Sequence, residues 1–187
     1  MGLRPWHSGR VAEVKVFRTD DAPVGLLDEA RAVVFAAFDG GFSEDDWDHA
    51  LGGWHAVVTD AGRVVSHASV ILRELEIGDR KFAAGYVEGV GTDSATRGQG
   101  YGSLGMTEIN KLIRSDFEIG ALSTEAHPFY ERLGWERWRG PSFVRSATGL
   151  TRTEDEDDGI MVLRFGPSAS VGLTASISCE ERSGDDW

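Results

Sequence analysis

Hydrophobic and polar positions change period several times along the chain, and these changes divide it into short elements. Val11-Ala12-Glu13-Val14-Lys15-Val16-Phe17-Arg18 partly alternates and is rich in β-formers, which predicts a first strand behind a loose leader at residues 1–10. From Leu26 to Phe38 the period lengthens: Leu27, Ala30, Val34 and Phe38 fall on one helical stripe, which Gly40-Gly41 ends. Ser43-Glu44-Asp45-Asp46 is close to a capping box and predicts a second short helix to about Ala50, broken by Gly52-Gly53. Trp54 to Thr59, Arg63 to Arg73 and Ala83 to Thr92 read as strands. Asp60-Ala61-Gly62 and Gly78-Asp79 read as the turns between them, so an antiparallel meander is the simplest arrangement.

The helical period returns over Gly98 to Ile113, with Leu104, Ile109 and Leu112 or Ile113 inward. Phe117 to Leu122 reads as a short strand. His127 to Leu133 reads as a short helix, with Pro128 in its first turn and Gly134 at its end. Trp135 opens another extended stretch. Residues 140–159 are loop-rich and carry the acidic run Glu154-Asp155-Glu156-Asp157-Asp158; Ile160 to Phe165 and Leu173 to Cys179 read as late strands. The order β, α, α, β, β, β, α, β, α, β, β predicts an α/β fold, a mixed sheet with one strand–loop–helix crossover near its middle. No internal repeat is visible, and 187 residues suit a single domain over 1–187.

Composition adds limits. The chain is 41% hydrophobic and includes six Trp and nine Phe, enough for a core and for aromatic pocket walls. Thirty-one acidic side chains against nineteen basic ones leave a net charge of -12, which repels nucleic acid and favours cationic partners, although acidity also serves solubility alone. Cys179 is the single cysteine, so no intramolecular disulfide forms, as suits a reducing compartment. It continues the apolar alternation Leu173, Ala175, Ile177 and reads as a small buried hydrophobe. The N-terminus shows no apolar signal core and has Trp6 where myristoylation needs Ser or Thr, and no stretch is apolar enough to span a bilayer. These features predict a cytoplasmic protein without a membrane partner.

The candidate chemistry sits in Val87-Glu88-Gly89-Val90-Gly91-Thr92-Asp93-Ser94-Ala95-Thr96-Arg97-Gly98-Gln99-Gly100-Tyr101-Gly102. Glycines at 98, 100 and 102 let a ligand approach the backbone, and the helix beyond presents unpaired N–H groups and a positive dipole end. Arg97 adds a fixed cation. Together they suit a diphosphate, although glycine-rich turns also arise for packing alone. The Gly-x-Gly-x-Gly spacing after a meander does not match a dinucleotide βαβ turn, and no Gly-Lys-Ser/Thr follows to make a Walker loop.

Arg97-Gly98-Gln99-Gly100-Tyr101-Gly102 resembles the Arg/Gln-x-x-Gly-x-Gly/Ala pyrophosphate loop of the GNAT acetyltransferases. The resemblance implies a central, mostly antiparallel sheet splayed at the acetyl-CoA strand and flanked by helices. It implies acetyl-CoA as cosubstrate and no metal, with Val87, Val90, Arg97, Gly98, Gln99, Gly100, Tyr101 and Gly102 as cofactor-binding residues. Gly89 and Gly91 suit a bulge in that strand. Within the family the chain resembles the aminoglycoside 2′-N-acetyltransferases over nearly its full length. The segments that carry this include Phe42-Ser43-Glu44-Asp45-Asp46-Trp47-Asp48-His49, Gly52-Gly53-Trp54-His55-Ala56, Gly85-Tyr86-Val87-Glu88-Gly89-Val90, Gly120-Ala121-Leu122-Ser123, Trp138-Arg139-Gly140-Pro141, Thr148-Gly149-Leu150-Thr151-Arg152-Thr153 and Gly184-Asp185-Asp186-Trp187.

That resemblance implies direct attack by a 2′ amine of a cationic aminoglycoside antibiotic in a ternary complex, with drug resistance as its consequence. Glu88 is implied as base and Tyr130 as proton donor to the thiolate. Asp46, Glu88, Gly89, Ser123, Asp157, Asp185 and Trp187 are implied on the acceptor side, the last two from a strand and tail over 166–187. Read without the resemblance, Asp46 is a capping-box acid and Asp157 part of a solvated loop. Gly41 departs from the family, which usually has an acid just before Phe42, and the stretch from Ser123 to Phe129 is slightly short. Both departures leave another amino sugar or a polyamine open as acceptor. A non-catalytic binder of drug or acetyl-CoA is the remaining alternative. Related enzymes are often homodimers, and the late strands offer an interface.

Overall fold

The computed structural model describes residues 12–187; the expected leader and Val11 lie outside the described residues. Four strands form the meander: β1 (Glu13–Arg18), β2 (Trp54–Asp60), β3 (Arg63–Ile77) and β4 (Arg80–Thr92), each antiparallel to the next. Ala61 and Gly62 both take left-handed φ angles, 50° and 76°, as a two-residue hairpin turn matched to strand twist requires. β3 and β4 run longer than the alternation predicts. Their extra residues alternate buried Leu75, Ile77 and Phe82 with polar side chains that pair across the strands, as in the Lys81 Nζ–Glu74 Oε1 contact of 2.8 Å.

α1 (Leu26–Ala37) and α2 (Glu44–His49) cover one end of the sheet. α1 buries Leu26, Ala30 and Val34; Leu27 is half-buried, and Phe38 has become the exposed C-cap, because the buried stripe is rotated from the expected one. α2 starts on the expected capping box: Ser43 Oγ accepts from the Asp46 N–H, and Asp46 Oδ2 accepts from the Ser43 N–H at 2.7 Å. α3 (Tyr101–Asp116) begins later than the period predicts, because Gly98 and Gly100 adopt φ of 79° and 89° and cannot belong to a right-handed helix. Its buried face is Tyr101, Gly105, Met106, Ile109 and Ile113, and Leu104 is exposed rather than inward.

β5 (Ile119–Ser123) lies parallel to β4, but only over Ala84, Gly85 and Tyr86; beyond Tyr86 the two strands separate. α4 (His127–Glu131) stops early because the Leu133 and Gly134 N–H groups turn back onto the Tyr130 and Glu131 carbonyls. β6 (Glu136–Arg137) pairs with β9 (Ile160–Leu163), which lines β5. The expected loop at 140–159 contains a hairpin, β7 (Ser142–Ser146) with β8 (Gly149–Arg152). Its pattern is polar, and its hold on the sheet comes from bonds such as Arg145 Nη1 to the Ser178 carbonyl at 2.6 Å. β10 is confined to Ile177–Glu180, parallel to β7 and antiparallel to the far end of β3. Leu173 to Ser176 is not strand.

Period-2 alternation sorts the sheet's apolar residues onto two faces. Val70, Met106, Ile109, Ile113, Leu122, Met161 and Leu163 pack on the α3 face. Leu75, Phe82, Tyr86, Ile119, Ile160, Ile177, Cys179, Trp138 and Trp187 pack on the other. Cys179 is buried, as its alternation predicts, and burial pushes its thiol up to about 11. Among the described residues, no helix is long and apolar enough to cross a membrane.

Gly140 approaches Ala175 so closely that an added Cβ would lie 1.8 Å from its carbonyl oxygen. Both are backbone neighbours of the β7–β10 pairing. Gly140→Ala is expected to destabilise the protein by about 1–3 kcal/mol, read as a lowered Tm. An unchanged Tm would show that the segment before β10 shifts freely.

Candidate functional site

The site is organised by a break in β4. His67 pairs with Gly91 and Ser69 with Glu88, so Gly89 and Val90 together oppose Ala68 in a β-bulge. Gly89 has a φ of 55°, which a Cβ would strain. Three polar side chains of β3 hold the bulge. Ser69 Oγ donates to the Glu88 carbonyl at 3.0 Å, and Ser66 Oγ to the Gly91 carbonyl at 2.8 Å. His67 Nδ1 lies 2.7 Å from the Gly89 carbonyl.

The last contact fixes a relay. A carbonyl only accepts, so His67 carries its proton on Nδ1, and its Nε2 must accept. His55 Nδ1, 2.9 Å away, therefore donates to it, and His55 Nε2 accepts from Thr19 Oγ1 at 2.8 Å. Both rings are fully buried and neutral: burial lowers His67 to about 4, while burial and the repulsion that a second proton on the pair would meet lower His55 to about 3. Sequence reading missed Ser66, His67 and Ser69; the available signal was three polar residues inside the apolar run from Val64 to Val70.

Where β4 leaves β5, a cleft of about 1080 Å³ opens. Its walls include Val87, Glu88, Gly89, Val90, Arg97, Gly98, Gly100, Tyr101 and Gly102, and across from the loop Asp46, Ser123, Tyr130, Asp185 and Trp187. Gly98 and Gly100 face open space, with nothing within 4 Å of an added Cβ. Beside them the 16-residue α3 begins, its first N–H groups unpaired in the helix, which suits a phosphate. Arg97 Nη2 donates to the Ala37 carbonyl at 2.7 Å and ties the loop to α1. Tyr101 donates its hydroxyl to Asp60 Oδ2 at 3.0 Å. Gln99 is exposed and is not among the cleft walls.

Glu88 Oε1 accepts from Arg182 Nη1 at 2.7 Å, and each side chain is only 14% exposed. Burial raises the carboxyl above its ordinary range, while Arg182, Arg73 and His49 pull the other way. Tyr130 is buried, and burial with the Glu88 charge raises its hydroxyl, so it stays protonated at neutral pH. Asp46 caps α2 and also borders the cleft. Trp187 is buried, its Nε1 donating to Thr153 Oγ1 at 3.2 Å.

The structure does not bring Asp157 to the cleft. Arg152 clamps it through both oxygens and Ser142 N–H donates to it at 2.9 Å, which holds its carboxyl below the usual range. Its neighbour Glu156 is not among the cleft walls either, but it accepts from one of them, Ser123 Oγ, at 3.3 Å; burial and then Asp185 raise it. Arg182 and Glu156 were both missed, because neither carries a local signature. Among the described residues, no cluster of His, Cys, Asp and Glu is arranged to hold a metal.

Residues 27–138 match the family model described as acetyltransferase (GNAT) domain. The chain is 37% identical to an aminoglycoside 2′-N-acetyltransferase of Mycolicibacterium fortuitum, over 98% of this chain and 96% of that protein. Its fold is similar to the GNAT family N-acetyltransferase YhbS of Escherichia coli, solved with CoA: TM-score 0.63, 17% identity, 97% of this chain and 98% of that one. It is also similar to a GNAT family acetyltransferase of Brucella melitensis solved with acetyl-CoA: TM-score 0.59, 19% identity, 90% and 96% covered. Other structural neighbours are much longer; the chain spans 34% and 33% of two of them.

The buried pair has a pH consequence. From the ordinary histidine value of 6.5 down to about 4, the unfolded chain takes up protons that the folded pair refuses. Stability is therefore present above 6.5 and falls as pH drops through that window. His67→Gln keeps a donor for the Gly89 carbonyl but does not titrate. Its Tm is expected to fall less steeply than the wild type's between pH 7 and 4.5. Parallel Tm profiles would remove the pair from this dependence.

Proposed function

The chain belongs to the GNAT acetyltransferases, and from that premise we propose that it transfers acetyl from acetyl-CoA to the 2′ amine of an aminoglycoside. The observation that carries this reading is the shared cleft: a left-handed glycine loop at a helix N-terminus and a buried carboxylate on the bulged strand meet in one cavity. Full-length similarity to an aminoglycoside 2′-N-acetyltransferase supports the acceptor class.

In this reading the main chain of residues 97–102 and the start of α3 hold the diphosphate, while the unpaired edge of β4 at Val87 and Val90 runs along the pantetheine. The cosubstrate supplies the thioester acyl group. Glu88 takes the proton from the acceptor's ammonium, directly or through a water, and so frees the lone pair that forms the C–N bond. Burial makes Glu88 a stronger base than an exposed carboxylate. A main-chain N–H near Val90 stabilises the charge that develops on the carbonyl oxygen. Tyr130 returns a proton to the departing sulfur.

Polycationic acceptors need several carboxylates around a sugar-sized cleft. Asp46, Glu88 and Asp185 supply them, with Ser123, Gly89 and Trp187 completing the wall and Glu156 bonded behind Ser123. Asp157 serves behind that wall, pinning Arg152 and Ser142. Gly41 favours a second reading within the same chemistry. It borders the cleft where related enzymes usually have an acid, so an acceptor with one fewer amine contact, another amino sugar or a polyamine, fits as well.

Glu88→Gln is expected to lower kcat by about 10²–10⁴ while coenzyme A still binds; undiminished turnover would remove Glu88 from the base role. Gly100→Val forces a branched residue to a φ of 89° in the loop. It is expected to weaken coenzyme A binding by about tenfold or more, read by calorimetric titration, and unchanged affinity would refute the loop assignment. Mass spectrometry of products from a panel of aminoglycosides and small polyamines locates the acetylated nitrogen; preference for polyamines would overturn the acceptor class.

A further inference from the structure

The partner of Glu88 arrives from far along the chain. β10 ends at Glu180, and the tail turns back through Gly184, whose φ is 76°. Arg73, buried under the tail, closes this turn by donating to the Glu180 carbonyl at 2.8 Å and the Asp186 carbonyl at 2.6 Å. Within the turn the Arg182 N–H donates to Asp186 Oδ1 at 2.8 Å, and Arg182 Nε donates to the Asp185 carbonyl at 2.6 Å. Its guanidinium lies 5.7 Å from the centre of the Tyr86 ring. A side chain held at so many points is a fixed charge rather than a solvated surface arginine.

Only Nη1 of that guanidinium reaches Glu88, and it takes Oε1. Among the described residues no other side chain hydrogen-bonds the Glu88 carboxylate. We propose that Arg182 is a positioning residue for acetyl transfer: it fixes the Glu88 carboxylate through Oε1, keeps it charged, and leaves Oε2 for the acceptor's proton. This inference rests on the reading of Glu88 as the base.

The physical argument is a balance. A carboxyl this deeply buried without a counter-ion favours its neutral form, which accepts no proton. Two strong counter-ions in contact would hold it charged but make it a poor base. One guanidinium on one oxygen sits between these limits. The other groups around Glu88 do not replace it. Arg73 acts at longer range from β3 and has its own partners in the tail; His49 acts from α2; Tyr86 and Tyr130 are neutral on β4 and α4; Asp185 and Asp186 belong to the same tail turn. Removing Arg182 removes an opposite charge, so Glu88 keeps its proton to higher pH.

The test is the pH profile of kcat in the full-length enzyme at saturating acetyl-CoA and acceptor. The acceptor amine's own ionisation is common to all variants, so differences between profiles report the protein. In Arg182→Gln and Arg182→Ala the acid limb is expected to move up by about one to two pH units. Activity should then be lost below the limb and recover above it. Arg182→Lys keeps the charge and should return the limb close to wild type. Asp186→Asn loosens the tail while leaving the guanidinium, and should leave the limb in place. Circular dichroism identifies the folded variants; should Arg182→Ala not fold, Arg182→Gln and Arg182→Lys give the same comparison. An unmoved limb, or equal loss at every pH, would overturn the proposal. If Glu88→Gln retains turnover, the base reading falls and this inference with it. If Glu88→Gln is inactive yet Arg182→Gln keeps the wild-type limb, only the role of Arg182 falls.

Discussion

The rest of the site depends on the bulge at Gly89 and Val90. A regular strand in that place would continue its ladder with β5 and close the cleft with main-chain hydrogen bonds. Instead β4 pairs with β5 only as far as Tyr86 and then turns away. The extra residue of the bulge leaves carbonyls that the ladder cannot satisfy, and in a buried strand each of these needs a partner. Ser66, His67 and Ser69 provide them from β3. The site is thus held from behind by groups that never face the cleft, and the two buried histidines are confined to one tautomer each by a single carbonyl.

Charge is handled by similar balances. The protein is strongly acidic overall, yet the cleft combines an N–H-rich helix end on one side with carboxylates on the other. Those carboxylates differ in state because their neighbours differ. Asp157 is held down by a two-oxygen clamp from Arg152, whereas Glu156, next in the chain, is raised by burial and by Asp185. Glu88 combines both influences, deep burial and one guanidinium. Adjacent acids in one acidic run therefore serve different ends.

Much of this was legible in the sequence where the cause is local. The capping box at Ser43 and Asp46, the hairpin turn at Ala61-Gly62, the glycines of the 97–102 loop and Pro128 in the first turn of α4 each act within a few residues of themselves. Periodicity located the meander and the main helices. Phase was harder to read. Leu104 points outward because five positions separate it from Ile109, which places it about 140° round the helix, and the face that meets the sheet includes Gly105 and Met106. The β7–β8 hairpin has too polar a pattern to announce itself, since its anchors are arginines bonded to distant carbonyls.

The sequence by itself determined the fold class, the loop and helix start that suit a diphosphate, and the place of Glu88 on the strand leading into them. These follow from backbone preferences and short spacings, which any local stretch of chain expresses. Only the tertiary structure decided that Asp157 is clamped by Arg152 while Glu156 meets Ser123 of the cleft wall, that buried histidines brace the bulge, and that Arg182 meets Glu88 across 94 residues of chain. Those contacts depend on where the sheet brings remote segments together, and on burial that gives one ion pair a weight it would not have in water.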